Sequence, residues 1–187
     1  RDASCPECGA TLRLVLTAHD PEALLPTVRS RCQRLRLALP PTAQALDWLA
    51  AHGVSRPEVL LAASGGQPPE AAAMAADGID SDAWERVPDA VRRGLAGPMG
   101  DWPLVRLIDA LQKLCHDALA RSTGGSARYF PNEAVPATAP AGRLVEWSRE
   151  LQRVARHAEH PWSEALLMEA LVAAGTKFTE GAWVAVL

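Results

Sequence analysis

The sequence predicts a mainly α-helical chain: two short strands near its start, three short helices, then a longer all-helical segment. Three observations predict it. Hydrophobic residues fill 48% of the 187 positions, and they are chiefly Ala, Leu and Val. Aromatic residues supply only 5%, six of them Trp against one Tyr and two Phe, so strand-favouring residues are scarce. From Pro40 onward apolar residues recur at helical spacing between Pro and Gly breaks.

Each element has a local reason. Residues 12–18 are short, apolar and bounded by polar residues, which suits a buried strand. Asp20-Pro21-Glu22 is a helix start, with an acceptor, a proline and an acid in order, and Pro26 restarts that helix. Residues 33–39 alternate, with Leu35, Leu37 and Leu39 on one face and Arg34 and Arg36 on the other, which predicts a second strand. Residues 42–52 carry Leu46 and Leu49 at helical spacing, with Gly53 as C-cap. Ser55-Arg56-Pro57-Glu58 reads as a capping box opening a helix that stops at Ser64-Gly65-Gly66. A third helix starts near Pro68-Pro69-Glu70 and ends by Asp77-Gly78.

Residues 79–98 read as helix interrupted by Pro88, with a break at Gly97-Pro98-Met99-Gly100. Asp101-Trp102-Pro103 is expected to cap a longer helix to about Ala120, whose stripe includes Leu104, Leu107, Ile108, Leu111, Leu114, Cys115, Ala118 and Leu119. Residues 122–139 are rich in Gly, Ser, Pro and Ala and read as a mobile loop anchored by Tyr129-Phe130-Pro131. Helices over about 140–158 and 162–174 follow, separated by His160-Pro161.

Composition narrows the function classes. The net charge of −3 excludes a globally basic nucleic-acid coat, while a local patch stays compatible. No apolar run is long enough to span a bilayer, and no basic-then-apolar leader is present, so no membrane partner is expected. Cys5, Cys8, Cys32 and Cys115 form no disulfide-like pattern, which predicts a soluble cytoplasmic chain with reduced thiols. The first residue is Arg1 rather than Met, as in a fragment or a processed chain.

The stretch that carries most chemistry is Leu-Thr-Ala-His-Asp-Pro-Glu-Ala-Leu-Leu-Pro-Thr-Val-Arg-Ser-Arg-Cys (16–32). Its Ser30-Arg31-Cys32 end places a guanidinium at an exposed helix terminus. Such a group is always charged, and its fork matches phosphate oxygens. With Ala-Ala-Ser-Gly-Gly-Gln-Pro-Pro-Glu-Ala-Ala (62–72) and His-Ala-Glu-His-Pro-Trp-Ser-Glu-Ala-Leu-Leu-Met-Glu-Ala-Leu (157–171), this stretch resembles the delta-prime subunits of bacterial DNA polymerase III clamp loaders, a branch of the AAA+ proteins. The resemblance covers roughly residues 12–174.

It implies the end of an AAA+ α/β core over 1–39, a helical lid over 40–80, a helical collar for oligomerisation over 81–174, and an unmatched tail over 175–187. It implies a subunit of the DNA polymerase III holoenzyme, a DNA-directed DNA polymerase and nucleotidyltransferase complex, that performs no catalysis alone. Gamma/tau and delta subunits would be its partners, with the sliding clamp and primed DNA reached through the complex. Arg31 would be an arginine finger supplied in trans to ATP-Mg on a neighbouring subunit, with Ser30 and Cys32 as its flanks. In well-studied NTPases such a finger is worth roughly 10³–10⁵ in rate.

Two absences fit that division of labour. Gly65-Gly66-Gln67-Pro68-Pro69 lacks the sensor arginine that the family's motor subunits carry there, so a γ-phosphate would lose a clamp. No Gly-x-x-x-x-Gly-Lys-Ser/Thr phosphate loop occurs either, so no cofactor is expected to bind this chain itself.

Other residues read more plainly. Arg29, Arg34 and Arg36 suit a solvated, mildly basic face, and His19 a surface or capping position. His157, Glu159 and His160 have poor spacing for a closed metal set. Cys5-Pro6-Glu7-Cys8-Gly9 is half of a zinc knuckle that departs from the family pattern, and Cys32 and Cys115 are too isolated to complete it. Two further readings follow: a zinc-knuckle helical adaptor unrelated to ATP, which metal analysis tests, and a fragment of a motor AAA+ ATPase, which an upstream phosphate loop would revive.

Overall fold

The computed structural model describes residues 3–4, 8, 11–12, 15–18, 21–35, 38–156 and 164–179. They fall into two compact units, residues 1–38 and 39–187.

In the first unit β1 (Ala3–Ser4) pairs antiparallel with β2 (Thr11–Leu12), Ala3 opposite Leu12. A single 3₁₀ turn follows at Pro21–Ala23, and α1 (Pro26–Arg29) restarts at the proline. Among the described residues the strands expected over 12–18 and 33–39 are not formed. Beyond Leu12, the described residues of both stretches have no regular structure. The reason is visible in their exposure: Val15 is 87% and Leu35 81% exposed. An apolar strand without a paired neighbour and a covering layer satisfies neither its backbone nor its side chains. Leu37 and Arg36 lie outside the described residues.

The described residues of the second unit are all helix and loop. Three short helices, α2 (Thr42–Ala51), α3 (Pro57–Ala63) and α4 (Pro68–Ala76), pack on one another, and α3 also packs on α5 (Ser81–Arg93). The long α6 (Leu104–Ser122) lies chiefly on α7 (Ala141–Ala155), while α8 (Glu164–Thr179) packs on α5, α6 and α7. One buried cluster runs from Ala45 and Leu49 through Trp84, Leu111 and Trp147 to Val172.

Several details differ from expectation. Asp80 caps α5, its carboxylate accepting the Ala83 N–H at 2.6 Å, and the helix ends at Arg93 rather than running to 98. Pro88 does not interrupt α5, because it is buried in the packed face and the lost hydrogen bond is outweighed there. Within the expected Asp101-Trp102-Pro103 stretch it is Pro103 that precedes α6, and α8 runs on to Thr179, past the expected end at 174. At α3 the expected capping box is not made. Arg56 becomes the N-cap instead, in the left-handed region at φ 47°, and no side chain caps the turn.

That conformation is unfavourable for a residue with a Cβ, and α5 holds it in place. The Arg56 guanidinium forks onto both Glu85 oxygens at 2.8 Å and reaches Asp82 at 2.5 Å. Ser81 Oγ donates to the Ser55 and Arg56 carbonyls at 2.9 and 3.1 Å. Arg106 makes a second strap, from α6 back to Glu70 and, at 2.7 Å, Asp77 at the ends of α4.

The Gly- and Pro-rich loop after α6 is fastened rather than free. The fully buried Asp117 carboxylate accepts three consecutive backbone N–H groups, from Arg128 at 2.9 Å, Tyr129 at 2.8 Å and Phe130 at 3.0 Å. Phe130 then stacks on Trp84, centroids 4.8 Å apart, and the Trp84 indole donates to the Tyr129 carbonyl at 3.1 Å. The Tyr129-Phe130 anchor read from the sequence is therefore present, with Asp117 beneath it.

Gly175 explains how closely α8 approaches its neighbours. A Cβ there would lie 2.8 Å from Val91 Cγ1 and 3.0 Å from Trp147 Cζ2. Gly175→Ala is expected to destabilise the chain by about 1–3 kcal/mol through overpacking, in spite of alanine's better helix propensity. Thermal unfolding followed by circular dichroism measures it, and an unchanged or raised midpoint contradicts the close packing.

Cys115 is buried on α6, with Sγ donating to the Leu144 carbonyl at 3.2 Å. Burial pushes its thiol up to about 12, against a backbone N–H from Ser148 that lowers it. Between the ordinary value of 9.0 and about 12 the unfolded chain loses this proton while the folded chain keeps it. Stability from this group therefore falls as pH rises through that window. Iodoacetamide near neutral pH is expected to modify the exposed Cys8 and Cys32 in the folded chain, and Cys115 only in denaturant. Peptide mass mapping reads the result, and equal labelling of Cys115 and Cys32 contradicts it.

Candidate functional site

The Ser30-Arg31-Cys32 turn is built by the residues just before it. Pro26 occupies the first turn of α1, where its missing N–H costs nothing. The Leu25 carbonyl accepts the N–H groups of Val28 at 2.9 Å and Arg29 at 3.1 Å, and the Ser30 N–H bonds Pro26 O at 3.0 Å. The Arg31 N–H then closes onto Val28 O at 3.0 Å, so the chain turns within one helical turn. Ser30 Oγ donates to the Thr27 carbonyl at 3.2 Å, and Arg31 Nη1 donates to the same oxygen at 2.8 Å. Ser30, Arg31 and Cys32 are all exposed.

The neighbouring arginines behave differently. Glu22, on the 3₁₀ turn, pairs with Arg29 and, at 3.3 Å, with Arg34. Among the described residues no acid pairs with Arg31. Of the described arginines in this stretch, it is the one whose charge is left to solvent, held only through a backbone carbonyl. An exposed fork of this kind can bind a phosphate or carboxylate in bidentate fashion.

The remaining sequence candidates fall as follows. Cys8 is exposed and free, and Cys5 lies outside the described residues. Among the described residues no three His, Cys, Asp or Glu side chains come together to hold a metal ion. His19, His157, Glu159 and His160 also lie outside the described residues, as do residues 180–187 of the tail. Among the described residues no helix is long and apolar enough to cross a membrane.

Sequence reasoning passed over Asp117, although its signal was legible. It falls three residues after Leu114 and seven after Ala110, on the buried stripe of α6, where an acid needs partners. Arg56 and Arg128 gave no such signal, because long-range pairing decides their roles.

No family model matches the chain. Two curated proteins do. Over 70 residues it is 41% identical to DNA polymerase III subunit delta' of Pseudomonas aeruginosa, covering 35% of this chain and 21% of that protein. Over 92 residues it is 37% identical to DNA polymerase III subunit delta' of Escherichia coli, covering 46% of this chain and 26% of that one. The matched region thus spans about a quarter or less of either relative's length. Within those limits, this mainly helical chain is a delta-prime-like protein.

Proposed function

We propose that the chain is part of a non-catalytic, delta-prime-like subunit of a DNA polymerase III clamp loader, acting in DNA replication. In this reading it assists ATP-driven loading of the sliding clamp onto primed DNA, in company with gamma/tau and delta subunits. Arg31 reaches ATP-Mg held by an adjacent motor subunit and stabilises charge on the transferred phosphoryl group. In this reading the nucleotide is held by the neighbour, and Arg31 reaches it from outside that subunit.

The observation that carries the reading is the state of Arg31. It is exposed, set on a hydrogen-bonded turn between Ser30 and Cys32, and has no acid partner among the described residues. Both delta' similarities support the assignment to this kind of subunit. The experiment is Arg31→Ala in the full-length subunit, assayed for ATP hydrolysis in the reconstituted loader. Wild-type hydrolysis by an intact mutant assembly overturns the finger role.

A further inference from the structure

The turn into α3 has two ways to close. Ser55-Arg56-Pro57-Glu58 carries the residues of a capping box. In such a box the Ser55 hydroxyl accepts the Glu58 N–H and the Glu58 carboxylate accepts the Ser55 N–H. The structure shows the other closure. No side chain caps α3, and Arg56 stands in the left-handed region at φ 47° and ψ 58°.

Three residues of α5 hold that form. Ser81 Oγ donates to the Ser55 and Arg56 carbonyls, Asp82 takes one guanidinium nitrogen, and Glu85 takes another through both its oxygens. Glu58 is the surplus acid. It lies 4.0 Å from Arg56 Nε, while the other two acids have already claimed that guanidinium at 2.5 and 2.8 Å. The carboxylate that the box needs is thus the one α5 leaves over.

The balance between the two closures is close. Left-handed strain at a residue with a Cβ and the gain from an exposed ion pair are of similar size and opposite sign. The Arg56 and Asp82 side chains are 47% and 72% exposed, so dissolved ions reach the pair and screen it. The box relieves the strain and satisfies two more backbone N–H groups. Against it stands Pro57, which disfavours helical backbone in the residue before it. Low salt therefore favours the ion pairs, and high salt favours the box.

We propose that the start of α3 is a two-state switch set by ionic strength. At low salt Arg56 is left-handed and clasped by α5. At high salt it lets go, and Ser55 and Glu58 close the capping box. Only this turn changes, because Leu60 and Leu61 just beyond it are buried in the core. The inference is independent of the Arg31 reading.

The test uses the 187-residue chain in sodium chloride at about 0.01 M and about 1 M, where the Debye length is about 30 Å and about 3 Å. Nuclear magnetic resonance reads the Arg56 backbone through its carbon shifts and its HN–Hα coupling. Left-handed values are expected at low salt and helical values at high salt. Exchange of the Glu58 amide is expected to slow about fivefold or more at high salt, as the Ser55 hydroxyl takes it. Ser55→Ala removes that slowing. It leaves the melting midpoint unchanged at low salt and lowers it by about 2–4 °C at high salt. Asp82→Asn combined with Glu85→Gln is expected to give helical Arg56 values already at low salt. If that double variant unfolds, the wild-type values and Ser55→Ala decide. The proposal is overturned by left-handed Arg56 values at both salt concentrations, by a Ser55→Ala cost equal at both, or by left-handed values that persist in a folded double variant.

Discussion

On the proposed finger role, Arg31→Ala in a reconstituted clamp loader is expected to lower turnover at the neighbouring ATP site by roughly 10³–10⁵, the range found for arginine fingers. Total clamp- and DNA-stimulated hydrolysis then falls by that site's whole share. Assembly, read by gel filtration, is expected to hold, because Arg31 is exposed and bonds only the Thr27 carbonyl within its own turn. Arg31→Lys keeps the charge and loses the fork, so it restores only part of the rate. Arg34→Ala serves as the control: Arg34 pairs with Glu22, and its loss should leave hydrolysis near wild type. Equal losses in both variants would point to a general charge effect and remove the special role of Arg31.

Asp117→Ala is expected to cost about 3 kcal/mol or more, the largest stability effect of any single polar side chain in the second unit. The substitution leaves the N–H groups of Arg128, Tyr129 and Phe130 without their acceptor, the Phe130 group in a buried setting and the Tyr129 group in a half-buried one. At about 2–4 °C per kcal/mol for a chain of this size, the melting midpoint falls by about 6–12 °C. Asp117→Asn keeps the shape and one acceptor oxygen, and should lie between. The Trp84–Phe130 stack offers a local readout, since release of the loop changes the tryptophan environment. A midpoint equal to wild type for Asp117→Ala would mean that the loop is not fastened by this carboxylate.

The helical part was legible in sequence because its signals are local. Gly53 and Gly78 sit at positive φ just past their helices, and Pro26, Pro57 and Pro68 open theirs. The α6 stripe was readable from spacing alone. What was not legible depends on partners distant in sequence. The segment 33–39 had the right alternation and 12–18 the right short apolar run, yet neither pattern says whether a neighbouring strand exists. Arg56 as a left-handed N-cap depends on Asp82 and Glu85, 26 and 29 residues away. The motif at 30–32 was legible as sequence. The arrangement that isolates Arg31, with Glu22 pairing Arg29 and Arg34, required coordinates.

The two arginine straps have a mechanical consequence. Arg56 bolts the start of α3 to the first turns of α5, and Arg106 bolts α6 to both ends of α4. Beneath them the core continues without a gap from α2 to α8. Parting the chain near residue 80 therefore means releasing both guanidinium straps and peeling α3 from α5, so the two helical groups are latched as well as linked by the backbone.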